Sequence, residues 1–159
     1  MKQLTRLSLL IAVNVVIALF VLIPIPATHG NINLCDAGIV LASCLYGRRS
    51  GALVGALSGL LLDLISGYAA YMLFSLVIHG LEGVVVGYWR THAHSKRDRL
   101  LLFVLGGIIV VGGYFLADSF LYGLAAGTVG VATNMVQYGV GGTLGVLLYH
   151  RLQRYPQVQ

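Results

Sequence analysis

All ten lysines and arginines of this 159-residue chain lie at its ends or in two of its connections: Lys2, Arg6, Arg48, Arg49, Arg90, Lys96, Arg97, Arg99, Arg151 and Arg154. Between them run apolar stretches over roughly 7–23, 34–46, 51–65, 69–89, 100–122 and 124–149, none of which holds a basic residue. A helix that spans a bilayer needs about 20 mostly apolar residues. Six such segments use up nearly the whole length. Composition agrees, with 58% hydrophobic and 9% charged residues and a mean hydropathy of +0.88, where a soluble domain carries about 25% charged residues. The expected architecture is therefore an all-α membrane protein, a compact bundle of six transmembrane helices forming one domain over 1–159. No length remains for a second, soluble domain.

The connections define the sidedness. Pro24 and Pro26 force extended backbone and end the first helix, and a loop of about ten residues follows, without a small-x-small cleavage site. The first segment is thus read as a retained span. Six crossings put both termini and the second and fourth connections on one face, which then holds every Lys and Arg. Basic residues in short loops stay cytoplasmic, so both termini are expected inside a bacterial plasma membrane and the loops near 24–33, 66–69 and 122–126 outside. This explains the net charge of +5 without a nucleic-acid partner. Cys35 and Cys44, nine positions apart on one apolar segment, are too distant along a helix for a disulfide. Glycines recur every four residues at Gly51, Gly55 and Gly59, at Gly83 and Gly87, and at Gly141 and Gly145, a spacing that lets helix backbones approach closely in lipid.

Four of the five carboxylates, Asp36, Asp63, Glu82 and Asp118, fall inside apolar segments. A charge at the bilayer centre costs about 2.5–3.5 kcal/mol on insertion scales, so such residues face an interior or a wet cavity. The topology places Asp36, Asp63 and Asp118 near the outer helix ends. His79 and Glu82, three apart on one helix face, lie nearer mid-membrane, and Asn134 and Gln137 share a face of the sixth helix. Tyr68, Tyr71, Tyr114 and Tyr122 add rings in the outer third. The inner half is Leu, Val, Gly and Ile. Polarity gathered in one half describes a blind pocket open outward, rather than a channel or proton wire. Carboxylate, amide and imidazole groups between aromatic walls suit a flat ring bearing donors and acceptors.

Each residue also has a plainer structural reading. Asp36 can cap the second helix, Asp63 can bond to backbone or Ser66, and the tyrosines can form an interfacial belt. His79 with Glu82 can be an internal pair, and Asn134 and Gln137 can be interhelical hydrogen bonds. Catalytic signatures are missing: there is no GxSxG, no HExxH and no glycine-rich phosphate loop with Lys. His92 and His94 sit in a basic loop and read as solvated residues. No cofactor, metal or catalytic residue is expected, and without a nucleotide-binding motif the chain cannot hydrolyse ATP by itself.

The segments Asn31–Ala37, Tyr46–Gly55, Leu62–Tyr68, Ile78–Gly83, Tyr114–Gly123 and Asn134–Gln137 together resemble the substrate-binding S components of energy-coupling factor (ECF) transporters, over nearly the whole chain. The resemblance implies a six-helix vitamin-capture protein that docks on a transmembrane coupling subunit driven by two cytoplasmic ATPases and releases its cargo inside. Docking in that family uses small residues spaced by four on the first helix, matched here by Ser8 and Ala12, with Ser8 replacing the usual Ala. His79 stands where the family commonly has Lys, and Asp118 where it often has Glu. The subgroup looks most like those for hydroxymethylpyrimidine or related thiamine precursors, with pyridoxine-like and riboflavin-like ligands as rivals.

The expectation is a vitamin-precursor uptake subunit. Asn33, Asp36, His79, Glu82, Asp118, Asn134 and Gln137 bind the ligand, Tyr71 and Tyr114 wall it, and the loop at 24–33 is its lid. Two rivals stand beside it: a small membrane scaffold of the cell-shape type, and a secondary carrier with a proton site at Asp63, Glu82 or Asp118.

Overall fold

The X-Pro steps at Pro24 and Pro26 act as expected and do more. Helix α1 (Lys2–Phe20) stops ahead of them, and the extended backbone pairs with itself as an antiparallel hairpin, β1 (Ile23–Ile25) with β2 (Gly30–Ile32). Ile23 faces Ile32 and Ile25 faces Gly30. The turn closes through His29, whose φ of 53° is in the left-handed region, uncommon for a residue other than glycine although histidine is among the more frequent exceptions. The expected loop is therefore a structured hairpin. The computed structural model describes residues 2–155; Pro156, placed in the tail by the sequence, lies outside them.

The rest is helical: α2 (Cys35–Tyr46), α3 (Arg48–Ser66), α4 (Met72–Val86), a short α5 (Trp89–His92), α6 (Lys96–Tyr122) and α7 (Leu124–Leu152). Most bounds fall near the apolar stretches. Helix α6 starts earlier than its apolar run because Ser95 Oγ accepts from the Asp98 N–H (3.1 Å) while Asp98 Oδ2 accepts from the Ser95 N–H (2.8 Å), a capping box that satisfies two donors at the helix start. Asp98, which reads as a loop residue in the sequence, thus belongs to the first turn.

Among the described residues, four helical segments are long and apolar enough to cross a membrane: Gln3–Phe20, Arg48–Ser66, Met72–His92 and Lys96–Tyr122. Helix α2, at 12 residues, rises only about 18 Å against a hydrocarbon core of about 30 Å. Helix α7 is long enough at 29 residues, but its amides and glycines dilute its apolar character. Large apolar side chains point outward, with Phe20 86% and Phe120 79% exposed. A solvated surface would not carry them in such number. This is a membrane protein.

Small residues set the packing. The backbones of Gly51 and Gly83 press against each other across α3 and α4, and a Cβ on Gly55 would run into the carbonyl of His79. Close approach of this kind is how helices associate in lipid. Gly141 and Gly145 on α7 similarly leave room for Asp36, Ala37 and Val40 of α2. Buried Asn14 of α1 donates to the Cys35 carbonyl at 3.0 Å, tying α1 to the start of α2. Both cysteines are buried and free. Basic residues gather at one end, where Arg48 donates to the Tyr88 hydroxyl (2.9 Å) and Arg90 donates to the Leu45 carbonyl. The hairpin and Tyr122 mark the opposite end, their rings meeting at His29–Tyr122 with centroids 4.8 Å apart.

Candidate functional site

Beneath the hairpin, the helix ends enclose a small polar cavity. Thr28, Gly30, Asn31 and Asn33 form its roof; Asp63 of α3, Tyr71 ahead of α4, and Tyr114 and Asp118 of α6 supply one wall; Thr133, Asn134 and Gln137 of α7 supply the other. Its volume is only about 30 Å³, room for one or two waters.

Hydrogen bonds hold the roof in place. The Tyr71 hydroxyl is directed at the Thr28 carbonyl oxygen (2.5 Å) and at Asp118 Oδ1 (2.6 Å), so one phenol joins hairpin, α4 and α6. Burial, reinforced by the hydrogen bond to Asp118, pushes the Tyr71 phenol above its ordinary range and keeps it protonated. Gln137 Oε1 accepts from the Asn33 N–H at 3.0 Å, fixing the hairpin's exit against α7. Asn33 Nδ2 donates to Asn31 Oδ1 (2.8 Å), and Asn33 Oδ1 accepts from the Cys35 N–H (2.8 Å). Asn33 therefore satisfies one backbone donor at the start of α2, a task that the plainer reading gave to Asp36. Asn134 Nδ2 donates one turn back to the Gly130 carbonyl (2.8 Å), and Ser66 bonds the Leu62 carbonyl rather than Asp63.

Of the nine residues expected to meet a ligand, Asn33, Tyr71, Tyr114, Asp118, Asn134 and Gln137 line the cavity. Asp36, His79 and Glu82 do not. They form a second, fully enclosed layer behind it, where His79 Nε2 lies 3.1 Å from Tyr114 Oη of the cavity wall. Tyr114 also meets Ser75 Oγ at 2.6 Å. On the other side of the ring, His79 Nδ1 lies 2.8 Å from Glu82 Oε2 and 3.9 Å from Asp36 Oδ1. The i,i+3 spacing of His79 and Glu82 gave that pair in advance; the approach of Asp36 depends on Gly141 leaving space behind it. Both Asp36 oxygens, Glu82 Oε1 and Asp63 Oδ2 have no hydrogen-bond partner among the described residues.

Asp36, His79 and Glu82 bring three ligand-type atoms within 4.8 Å of one another. A tetrahedral ion with bonds near 2 Å spaces its ligands roughly 3.3 Å apart, so the cluster would have to contract to hold one. Thr28, Gly30, Asn31, Asp63 and Thr133 line the cavity without having been singled out as binding residues, Asp63 having been named only as a proton site of the rival carrier. Asn31 beside Asn33 and Thr133 beside Asn134 were hinted at by position, while Thr28 and Gly30 depend on how the hairpin folds back.

The polar chamber thus lies at one end of an apolar helical bundle. A family model described as ECF-type riboflavin transporter, S component, matches residues 1–154. The chain belongs to this family. An S component is a transporter subunit, not an enzyme, which accords with the missing catalytic motifs. The chain is 37% identical over 154 residues to the thiamine precursor transporter HmpT of Lactococcus lactis subsp. cremoris, covering 96% of this chain and 89% of that protein. It is 39% identical over 142 residues to an uncharacterized protein in gap 3'region of Pyrococcus woesei, covering 86% and 95% respectively. A UPF0397 protein of Streptococcus agalactiae is 29% identical over 154 residues, covering 87% of this chain and 84% of that protein.

Proposed function

We propose that this S component captures a small heteroaromatic vitamin precursor, of the hydroxymethylpyrimidine or thiamine type, at the extracellular end of the bundle. The observation that carries the proposal is the polar cavity between the hairpin, Tyr71, Asp118 and the amides of α7. Its groups match an aminopyrimidine: carboxylate and amide oxygens accept from an exocyclic amine, amide N–H groups donate to ring nitrogens, and Tyr71 and Tyr114 offer ring faces. The likeness to the thiamine precursor transporter points the same way.

At about 30 Å³ the cavity cannot hold such a ring, so the hairpin over 24–33 acts as the lid and moves to admit it. Asn33, Tyr71, Tyr114, Asp118, Asn134 and Gln137 then contact the ligand. Asp36, His79 and Glu82 support the site from beneath through Tyr114, and meet the ligand directly if the cavity deepens.

Six spans, with α4 and α5 counted as one, form one membrane domain over 1–159 in a bacterial plasma membrane, with both termini cytoplasmic, as the gathering of Lys and Arg at one end supports. Inward release depends on a transmembrane coupling subunit and two cytoplasmic ATPases, since the chain has no ATPase of its own. Ser8 and Ala12 contact the coupling subunit. Both are exposed on α1, beside the buried stripe of Leu7, Ile11 and Val15.

A thermal-shift screen of the purified chain against hydroxymethylpyrimidine, thiamine, pyridoxine and riboflavin tests the reading. Stabilisation by hydroxymethylpyrimidine without ATP or partner subunits is expected; a response to none of the four would refute it.

A further inference from the structure

The basic end of the bundle carries a groove unrelated to the cavity beneath the hairpin. It has a volume of about 400 Å³ and is bordered by Trp89, Lys96, Arg99, Phe103, Val146 and His150. Trp89 is only 7% exposed, and its indole Nε1 is buried with no hydrogen-bond partner among the described residues. The same is true of Arg99 Nε, on a guanidinium that lies over the Trp89 ring at 5.8 Å. An indole N–H and a guanidinium N–H can only donate, and a buried donor left unmatched is costly. Two of them side by side, next to Lys96, call for an acceptor with negative charge. The nearest carboxylate in sequence, Asp98, is engaged by Ser95 in the cap of α6.

The groove does not end at the charges. It shares Phe103 with a second, almost wholly apolar groove of about 510 Å³ along the seam of α6 and α7, bordered by Gly107, Ile108, Gly112, Met135 and Gly139. A Cβ at Gly112 or Gly139 would meet nothing within 4 Å, so these glycines leave the furrow open. From Arg99 to Gly112 the helix rises about 20 Å, more than half of a hydrocarbon core of about 30 Å. A free inorganic anion would use the first groove and leave the second empty. A molecule with a phosphate at one end and a hydrocarbon chain at the other fills both.

We propose that the α6–α7 seam binds one anionic phospholipid, its phosphate received by Trp89, Lys96 and Arg99 and one acyl chain laid along the glycine-lined furrow. Basic sites between membrane helices recognise anionic headgroups by this combination of charge and apolar continuity. The site is separate from the substrate cavity and requires only that the seam face lipid, so it stands or falls independently of the vitamin reading.

The test is native mass spectrometry of the full chain, purified and delipidated in detergent, then titrated with dioleoylphosphatidylglycerol or with dioleoylphosphatidylcholine. One phosphatidylglycerol per chain is expected to survive desolvation, retained about tenfold better than phosphatidylcholine. The Lys96→Gln/Arg99→Gln variant should lose that preference. Trp89→Phe should weaken retention several-fold while keeping the ring, and Gly139→Leu should displace the chain by filling the furrow. Equal retention of the two lipids by the wild type overturns the proposal whether or not any variant folds. So does competition by millimolar inorganic phosphate that removes phosphatidylglycerol completely, which would mark a soluble-anion site. A seam that retains neither lipid, and becomes shielded from labelling only in the assembled transporter, would belong to a partner helix and would equally overturn it.

Discussion

Tyr71 concentrates the site's logic in one atom. Its hydroxyl is the only group seen to join the Thr28 carbonyl and Asp118 Oδ1 among the described residues, so removing it leaves two buried acceptors facing each other. Tyr71→Phe is expected to destabilise the closed hairpin by about 1–3 kcal/mol, read as faster amide hydrogen exchange over residues 28–33 while exchange in α3 and α4 is unchanged. Unchanged exchange over 28–33 would show that the phenol does not hold the lid. His79 stands behind the same wall, against Tyr114. Its ring separates Tyr114 from Glu82 and Asp36. The sequence supplied the His79–Glu82 pair through helical spacing, and Asn134 with Gln137 in the same way. It could not supply the layering, because which buried polar group lines a cavity and which stands behind it is decided by packing between helices. Asn14 went unremarked for the same reason: its bond to the Cys35 carbonyl spans 21 positions.

Helices were the most legible elements, since apolar length and the position of basic residues are properties of the chain itself. The hairpin was half legible. Pro24 and Pro26 announce extended backbone, but the pairing of β1 with β2 also needs the turn at His29, and nothing in the residue types demanded that conformation. Gly-x-x-x-Gly spacing announced close packing, and the contact of α3 with α4 lets it be graded. Gly55→Ala puts a Cβ into the His79 carbonyl, and overpacking of this kind costs about 1–3 kcal/mol. Gly112→Ala meets nothing within 4 Å and gains helix propensity of up to about 1 kcal/mol. Thermal unfolding in detergent should therefore rank Gly112→Ala at or above wild type and Gly55→Ala clearly below it. The reverse order would mean that α3 and α4 do not approach as described.

For the whole molecule, chemistry is divided between two ends: polar, ring-lined and hairpin-covered at one, basic at the other, with an apolar bundle between. In the membrane this division becomes orientation. Because Cys35 and Cys44 are buried, single cysteines introduced by His29→Cys and Arg97→Cys can report it with little background. A membrane-impermeant thiol reagent applied to intact cells should label the first and spare the second. The opposite pattern would invert the topology and place the cavity on the cytoplasmic side. The polar cavity is proposed as a receptor for a small heteroaromatic ring. The most direct test of that role is calorimetric titration of hydroxymethylpyrimidine into the purified wild type and the Asn134→Ala/Gln137→Ala variant. Saturable one-to-one binding by the wild type, weakened about tenfold or more in the variant through loss of buried hydrogen bonds, is the predicted result. Equal affinity in the two proteins would contradict it.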